Sequence, residues 1–538
     1  MLVNGGFESG GLAPGWSLDG GVCQVTSGTE AFAGSFLLGP SNPQGVADCR
    51  IHQDVDLVGA NFRVALIDGG WLGVSASAAL RSVLPPTRWD DKAFLRLRFL
   101  DAQGDERGSL RTLLGGGDTW SLATATGRTP PGTRLVRIEI EARHRLGGIN
   151  DGRVDDASLR FLDRYDTSPP VPQITKLPFL QDVRRDAMTI LWETDINPPV
   201  HAVDYGPMGS GLIETVDRVE TTQVSPDHFV HKAVVKGLAT GADYVYRVRS
   251  GETTSATYSF RTAPPAARPF RVVWFSDNQS GPSILSQHVP RIAARQPDLV
   301  MVPGDHVQNG AVLSGWDTQW FEPMSIASLA QTVPVMIARG NHDSSHAYSY
   351  AYSALPGNEA WYAFAYGNTF FVVLDTEAPT SSPLMEHDQR AFLAAALDSP
   401  EATSAEFRVV SFHKPPYTNL WDESNLTKCV EGNPYTGQPG VRSDWIPLFE
   451  SKGVDLVVAG HTHSYQHGVQ NGVHYLLVGG GGGTLDTVRG CSGSTFWDFI
   501  DTEASVFHYN VMDVDGATLR WAAYDLSDRL VHSLEIRH

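Results

Sequence analysis

A chain of 538 residues is too long for a single hydrophobic core, and about three domains are expected. Hydrophobic residues make up 41% and aromatic residues 10%, ample for folded cores, yet no apolar run approaches the roughly 18 to 20 residues that span a bilayer. The net charge of −19 excludes broad nucleic-acid or anionic-membrane binding, which favours basic surfaces; an anionic ligand would need a local positive centre.

Residues 1–166 read as all-β. Short alternating runs such as FLRLRFL and RLVRIEIEARH are separated by Gly-, Pro- and Asp-rich turns and show no helical period. The four cysteines are Cys23, Cys49, Cys429 and Cys491. They allow three connectivities, and the domain boundaries favour the local pairs Cys23–Cys49 and Cys429–Cys491 over four free thiols. Few lysines and β-rich modules point to an oxidising compartment. Met1 is followed at once by the polar stretch LVNGGFESG, so we read it as an added start on a mature secreted or periplasmic protein.

The composition shifts to RYDTSPPVPQ, a linker, and a second segment spans 167–265. Trp192 in AMTILWET suits the core of an early strand, and GLATGADYVYRVRS carries Leu238, Tyr244, Tyr246 and Val248 in alternation. TAPPAARP then marks the boundary to the third segment, 266–538. There the periodicity predicts helices over Ile284–Gln296 and His387–Ser399. The glycines Gly479–Gly483 follow a strand without the Lys-Ser/Thr of a phosphate loop, and predict a close-packed turn.

Five apolar runs in this segment each end in a polar cluster: RVVWFSDNQ, DLVMVPGDH, VPVMIARGNHD, FRVVSFHKPP and VDLVVAGHTH. Runs of β-branched and large residues read as strands buried on both faces, and open α/β sheets place ligands at the carboxyl ends of such strands. The clusters carry Asp277, Gln279, Asp305, Asn341, His342, His413, His461 and His463. That set suits metal ligation better than a core.

The ordered pattern D-x-Q, GDH, GNHD, isolated His and GHTH resembles the calcineurin-like metallophosphoesterases over about half of the chain. The stretch from Leu238 to Val248 resembles the tyrosine corner of fibronectin type III domains. With VDYGP it implies the architecture of purple acid phosphatases, in which such a domain precedes the catalytic one. The opening NGGFESG and the closing DGRVDDASLRFL of the first segment resemble the ends of carbohydrate-binding-module-like jelly rolls, whose first and last strands pair. The resemblances together imply two N-terminal all-β sandwiches, a jelly roll and a fibronectin III-like domain. An α/β metallophosphoesterase sandwich of two mixed sheets flanked by helices follows.

The same resemblances imply residue roles. One metal takes Asp277, Gln279, Asp305 and His463, and the other takes Asp305, Asn341, His413 and His461, with Asp305 bridging. The mixed carboxylate, amide and imidazole set suits two divalent transition metals, manganese, iron or zinc. His342 contacts phosphate and protonates the leaving oxygen. Apart from the resemblance, the adjacent carboxylate Asp343 is expected to fix its tautomer or orient it, as carboxylates do for catalytic imidazoles. In the first segment Glu8 and Asp156 match the positions of a structural calcium, the alternative being an acidic turn. Glycan binding would need exposed aromatics, and Trp71, Trp89 and Trp120 serve equally as core.

Two departures from purple acid phosphatases matter. The Tyr three residues past the bridging Asp, which gives their colour, is Gln308 here, and the first motif ends in Gln279. A colourless two-metal site is expected. Its substrate is a small phosphate ester, hydrolysed by a metal-activated hydroxide. A phosphomonoesterase is the first reading, a phosphodiesterase the second, and a catalytically idle glycan-binding protein a remote third. His306, His346 and His467 suit packing as well as the cleft. The rim is expected at Trp316–Phe321 and Asn419–Arg442, where Trp316, Trp320, Tyr417 and Trp421 either stack on a substrate or anchor loops.

Overall fold

The structure is a computed structural model. It describes the chain except residues 1, 4, 8, 10, 11, 13, 14, 22, 28–30, 32, 34, 35, 41–47, 83–91, 114, 116–118, 144–151, 164–170, 344–345, 381–387, 421–434 and 488–496. Glu8, Trp89, Trp421, Cys429 and Cys491 therefore lie outside the described residues. Two compact units emerge: Met1–Pro178 with Ile190–Val235 and Val245–Thr257, and Phe179–Thr189 with Lys236–Tyr244 and Tyr258–His538.

The first unit begins with two sheets around one core. Five strands run in the order Cys23–Ser27, Phe36–Pro40, Gly152–Asp163, Leu72–Ser82 and Ser121–Arg128. The other sheet opens with Ser17–Gly21, Cys49–Asp56, Leu135–Arg143, Lys92–Leu100 and Glu106–Thr112. The period-2 alternation puts Val74, Leu80 and Val154 of one sheet and Ile51, Leu95, Leu97 and Ile138 of the other into a shared core. Cys23 and Cys49 form a disulfide, with Cα atoms 5.0 Å apart.

This second sheet does not stop at Glu106–Thr112. It continues through Val219–Ser225, His228–Lys236, Ala187–Thr194 and Ile174–Gln181 to nine strands. The junction is a parallel pairing with Glu220 opposite Ser109 and Gln223 opposite Thr112. Arg96 and Arg111 both reach Glu220 across it, each at 3.2 Å. The tyrosine-corner pattern is visible in its contacts: the Tyr244 hydroxyl accepts from the Ala239 amide at 2.8 Å. Trp192 is fully buried, its indole donating to Ser250 at 2.9 Å.

Two features of residues 1–166 bear on the calcium and glycan expectations. The last strand, Gly152–Asp163, pairs along its length with Leu72–Ser82 and meets the opening at Ala157, whose amide donates to Gly5. At that bulge Asp156 is exposed, whereas Asp155 is fully buried and accepts the amides of Ala33 and Asp156. The buried carboxylate is thus the neighbour of the one expected to hold calcium. Trp71 and Trp120 are half-buried, and among the described residues this region presents no exposed aromatic platform.

In the second unit two mixed sheets stand as expected. One runs Val335–Ile337, Leu299–Val302, Phe270–Trp274, His508–Asp515, Thr518–Asp525, Leu530–Arg537. The other runs Tyr362–Tyr366, Thr369–Val373, Phe407–Phe412, Leu456–Ala459, Val473–Val478, Tyr465–Gln470, Ile500–Ala504. Parallel pairing of Phe270–Trp274, Leu299–Val302 and Val335–Ile337, and of Phe407–Phe412 with Leu456–Ala459, aligns the ends that carry the polar clusters.

The two expected helices are Pro282–Ala294 and Gln389–Leu397, each shifted or trimmed by two residues from expectation. Pro282 starts the first because a proline fits the first turn, and Gln296 leaves it at φ 53°. Asp388 caps the second by accepting from the amides of Arg390 and Ala391. Ser399, expected at its end, instead caps the short helix Pro400–Ser404. Trp316–Phe321 forms a π-helix, with Trp316 and Trp320 buried as anchors.

Candidate metal centre

Each ligand loop turns sharply after its strand. Asp277, Asp305 and His461 sit at φ 61°, 56° and 70°, a region that non-glycine residues occupy at a cost and that concentrates at functional sites. Two glycines make the crossings possible. A Cβ on Gly340 would lie 2.1 Å from Asp305 Oδ1, and one on Gly460 would lie 2.4 Å from Asp277 Oδ2. The G of GNHD and of GHTH is there because the backbone passes directly against a carboxylate.

One ligand atom each from Asp305, His413 and His461 fall within 4.8 Å of one another. His413 Nε2 lies 3.2 Å from Asp305 Oδ2 and 3.2 Å from Asn341 Oδ1. On the other side of Asp305, Gln279 Nε2 lies 3.3 Å from Oδ2 and 3.0 Å from His463 Nε2, which is 3.6 Å from Asp277 Oδ1. The seven residues expected as ligands therefore lie close together, on either side of Asp305.

The imidazoles are aimed by their other nitrogen. His413 Nδ1 donates to the Pro303 carbonyl at 2.8 Å and His463 Nδ1 to the Thr484 carbonyl at 2.6 Å, which turns Nε2 of each ring toward the carboxylates. Gln279 Oε1 is buried with no hydrogen-bond partner among the described residues. Amide oxygen and nitrogen are interchangeable assignments, so turning this amide over puts an oxygen between His463 and Asp305. A divalent cation is the partner such converging oxygens and nitrogens fit.

The electrostatics agree. Burial raises the Asp277 carboxyl to about 6, against the pull of His413 and His463. Asp305 stays below the usual carboxylate range despite burial, because His413 is charged beside it, and His413 is lifted to about 10 against burial by Asp305. Burial, and then the His413 charge, hold His461 well below an ordinary imidazole. Buried carboxylates need a positive partner, and the His413 charge supplies one here.

His342 is half-buried, and its Nδ1 donates to the Gln308 carbonyl at 2.8 Å. Gln308 occupies the position of the colour-giving tyrosine and is exposed. The orienting role expected of Asp343 toward His342 is not what its contacts serve. Asp343 is 1% exposed and accepts from the amides of Asp305, His306 and Gly340 and from His306 Nδ1. A turn separates the two side chains, so sequence adjacency does not become contact.

Three further histidines pack. His306 is buried edge-on against Trp320 at 4.6 Å. His346 caps Ala347–Ala351, accepting the Tyr348 amide. His467 sits between Asp501 at 3.2 Å and His474 at 3.1 Å. Tyr417 is buried against Tyr475, Trp497 and Phe499. Sequence reasoning passed over Tyr435, whose ring stands edge-on to His461 at 5.2 Å, and Asp486, which accepts the His463 amide at 2.7 Å. The glycine run leading into residues 484–486 was the signal for the latter.

Residues 270–465 match the family model of calcineurin-like phosphoesterases, and residues 175–262 match that of the purple acid phosphatase N-terminal domain. An uncharacterized protein of Mycobacterium tuberculosis is 25% identical over 334 residues, a match spanning 52% of this chain and 59% of that one. Acid phosphatase type 7 of Homo sapiens is 25% identical over 301 residues, spanning 52% and 67%. A purple acid phosphatase from yellow lupin (Lupinus luteus) seeds superposes with a TM-score of 0.58 at 16% identity over 91% of this chain and 92% of that chain. The chain therefore carries a calcineurin-like phosphoesterase domain preceded by a purple acid phosphatase N-terminal domain.

Proposed function

We propose that this chain is a dinuclear metal-dependent phosphoesterase that hydrolyses small phosphate esters, phosphomonoesters foremost. The observation that carries the reading is the convergence of two ligand groups on one buried carboxylate, Asp305. Asp277, Gln279, Asp305 and His463 would hold one cation and Asp305, Asn341, His413 and His461 the other, both manganese, iron or zinc. Bound there, the pair supplies Lewis-acid stabilisation of phosphoryl oxygens and a nucleophilic water at neutral pH.

The chain's own residues do the rest. His342, anchored through Nδ1 on the Gln308 carbonyl, presents Nε2 to the leaving oxygen and passes it a proton. No nucleophilic side chain is required, so no phosphoenzyme forms. The Asp343 carboxylate, closed off by its four donors, takes no part in proton transfer. The Cys23–Cys49 disulfide supports a secreted or periplasmic setting. A jelly-roll and a fibronectin III-like sandwich ahead of the catalytic domain fit the observed sheets.

The test is metal content per chain after purification without chelator, with parallel hydrolysis of nitrophenyl phosphate and bis-nitrophenyl phosphate. About two transition-metal equivalents and chelator-sensitive turnover of the monoester are expected. Preferred turnover of the diester would move the reading to a phosphodiesterase. No metal and no turnover after adding manganese, zinc or iron would overturn it.

A further inference from the structure

The loop after Leu299–Val302 and the loop after Val335–Ile337 hold the shared ligand Asp305 and the ligand Asn341, and one side chain ties them together. Asp343 Oδ1 accepts the Asp305 amide at 3.2 Å and the Gly340 amide at 3.0 Å. Its Oδ2 accepts the His306 amide at 3.3 Å and is paired with His306 Nδ1. A third loop joins through His306, whose carbonyl accepts from Asn278 Nδ2 at 2.7 Å, next to Asp277. The Asp305 carboxylate itself is turned by the His342 amide, 2.9 Å from Oδ1.

His306 is a costly residue to bury. It is fully enclosed, its ring stands edge-on to Trp320, and Nε2 has no hydrogen-bond partner among the described residues. A phenylalanine would fill the same space without an orphaned polar atom. What the imidazole offers beyond packing is the Nδ1–H donated to Asp343. That bond holds the carboxylate against the Asp305 amide, at a residue whose backbone is in the left-handed region. Without it the Asp305 backbone would relax toward ordinary φ and its oxygens would leave the shared position.

We propose that His306 and Asp343 are a positioning pair that fixes Asp305 and thereby sets the affinity of both metal sites, touching neither substrate nor metal. The inference rests on the dinuclear reading above. Outer partners that orient metal ligands typically change metal affinity or activity by about 10- to 100-fold when removed. The pair accounts for an expensive histidine and for the saturated Asp343 in one arrangement.

The experiment loads the full chain with manganese alone, then with zinc alone, and titrates chelator against retained metal. His306→Phe keeps the ring on Trp320 but loses the donor, so metal should be released at about 10- to 100-fold lower chelator. His306→Asn places its amide N–H where Nδ1–H lies and should recover wild-type retention to within a few-fold. At saturating metal His306→Phe should regain kcat, with KM for nitrophenyl phosphate unchanged. Wild-type retention in His306→Phe, beside a wild type holding two equivalents, overturns the positioning role while leaving the phosphoesterase reading intact. A wild type that holds no metal overturns both. If His306→Phe does not fold, the isosteric Asp343→Asn carries the test: weakened retention supports the pair and unchanged retention overturns it.

Discussion

Buried histidines serve opposite ends in the two units. In the first, His201 and His231 stack at 3.8 Å, and all four ring nitrogens are spoken for. His201 bonds to Ser250 at 2.8 Å and Asn197 at 2.7 Å; His231 bonds to Thr194 at 2.7 Å and Thr221 at 2.9 Å. In the second, His413 and His463 spend Nδ1 on a backbone carbonyl and turn Nε2 toward carboxylates. Burial alone does not mark a ligand. What marks it is an imidazole satisfied on one side and aimed at other ligand atoms on the other.

The largest way to break that contrast is Asp305→Ala, which removes the carboxylate both groups share. Both metals should be lost, and turnover should fall by roughly a thousand-fold or more, the several kcal/mol that the ions supply. Metal analysis alongside nitrophenyl phosphate hydrolysis checks it. His342→Ala is the next step down: metal content should stay at the wild-type value while turnover drops roughly a hundred-fold. Unchanged turnover would remove His342 from proton transfer.

His231→Leu probes the saturated side. The Thr194 and Thr221 hydroxyls each lose a hydrogen bond inside the core, at a cost of about 1–3 kcal/mol of stability, while metal content and kcat stay put. Denaturant midpoints and a metal assay on one preparation read both arms. The last effect expected is in pH. Burial lowers His201 to about 3 and His467 to about 4. Both lie below the ordinary 6.5, so the unfolded chain takes up protons first as pH falls. Stability should therefore decline from pH about 6.5 toward 4. His467→Gln should flatten part of that slope in denaturation series at pH 7, 5.5 and 4.

The catalytic domain was legible because its signal is local. Each buried strand is a short apolar run, and each ligand follows within a few residues, so Asp277, Asp305 and His413 could be placed at strand ends before any geometry was known. Helix Gln389–Leu397 and the Tyr244 hydroxyl bond to Ala239 were legible for the same reason. The parallel pairing of Glu220 with Ser109 was not, since strands 111 positions apart carry no mutual mark in either local pattern. Nor were the contacts of Asp343, because a turn reverses the direction of neighbouring side chains. His231 in FVHKAV gave no hint of its burial, since its partners Thr194 and Thr221 lie on other strands.

The junction at Glu106–Thr112 and Val219–Ser225 also bears on how the protein can be shortened. Trimming away residues 1–163 looks harmless on a domain map, yet it would strip Val219–Ser225 of its neighbour and leave Glu220 without Arg96 and Arg111. The result is a bare strand edge of the kind that recruits other chains. Poor solubility of such a fragment would then report an uncovered edge rather than a misfolded catalytic domain.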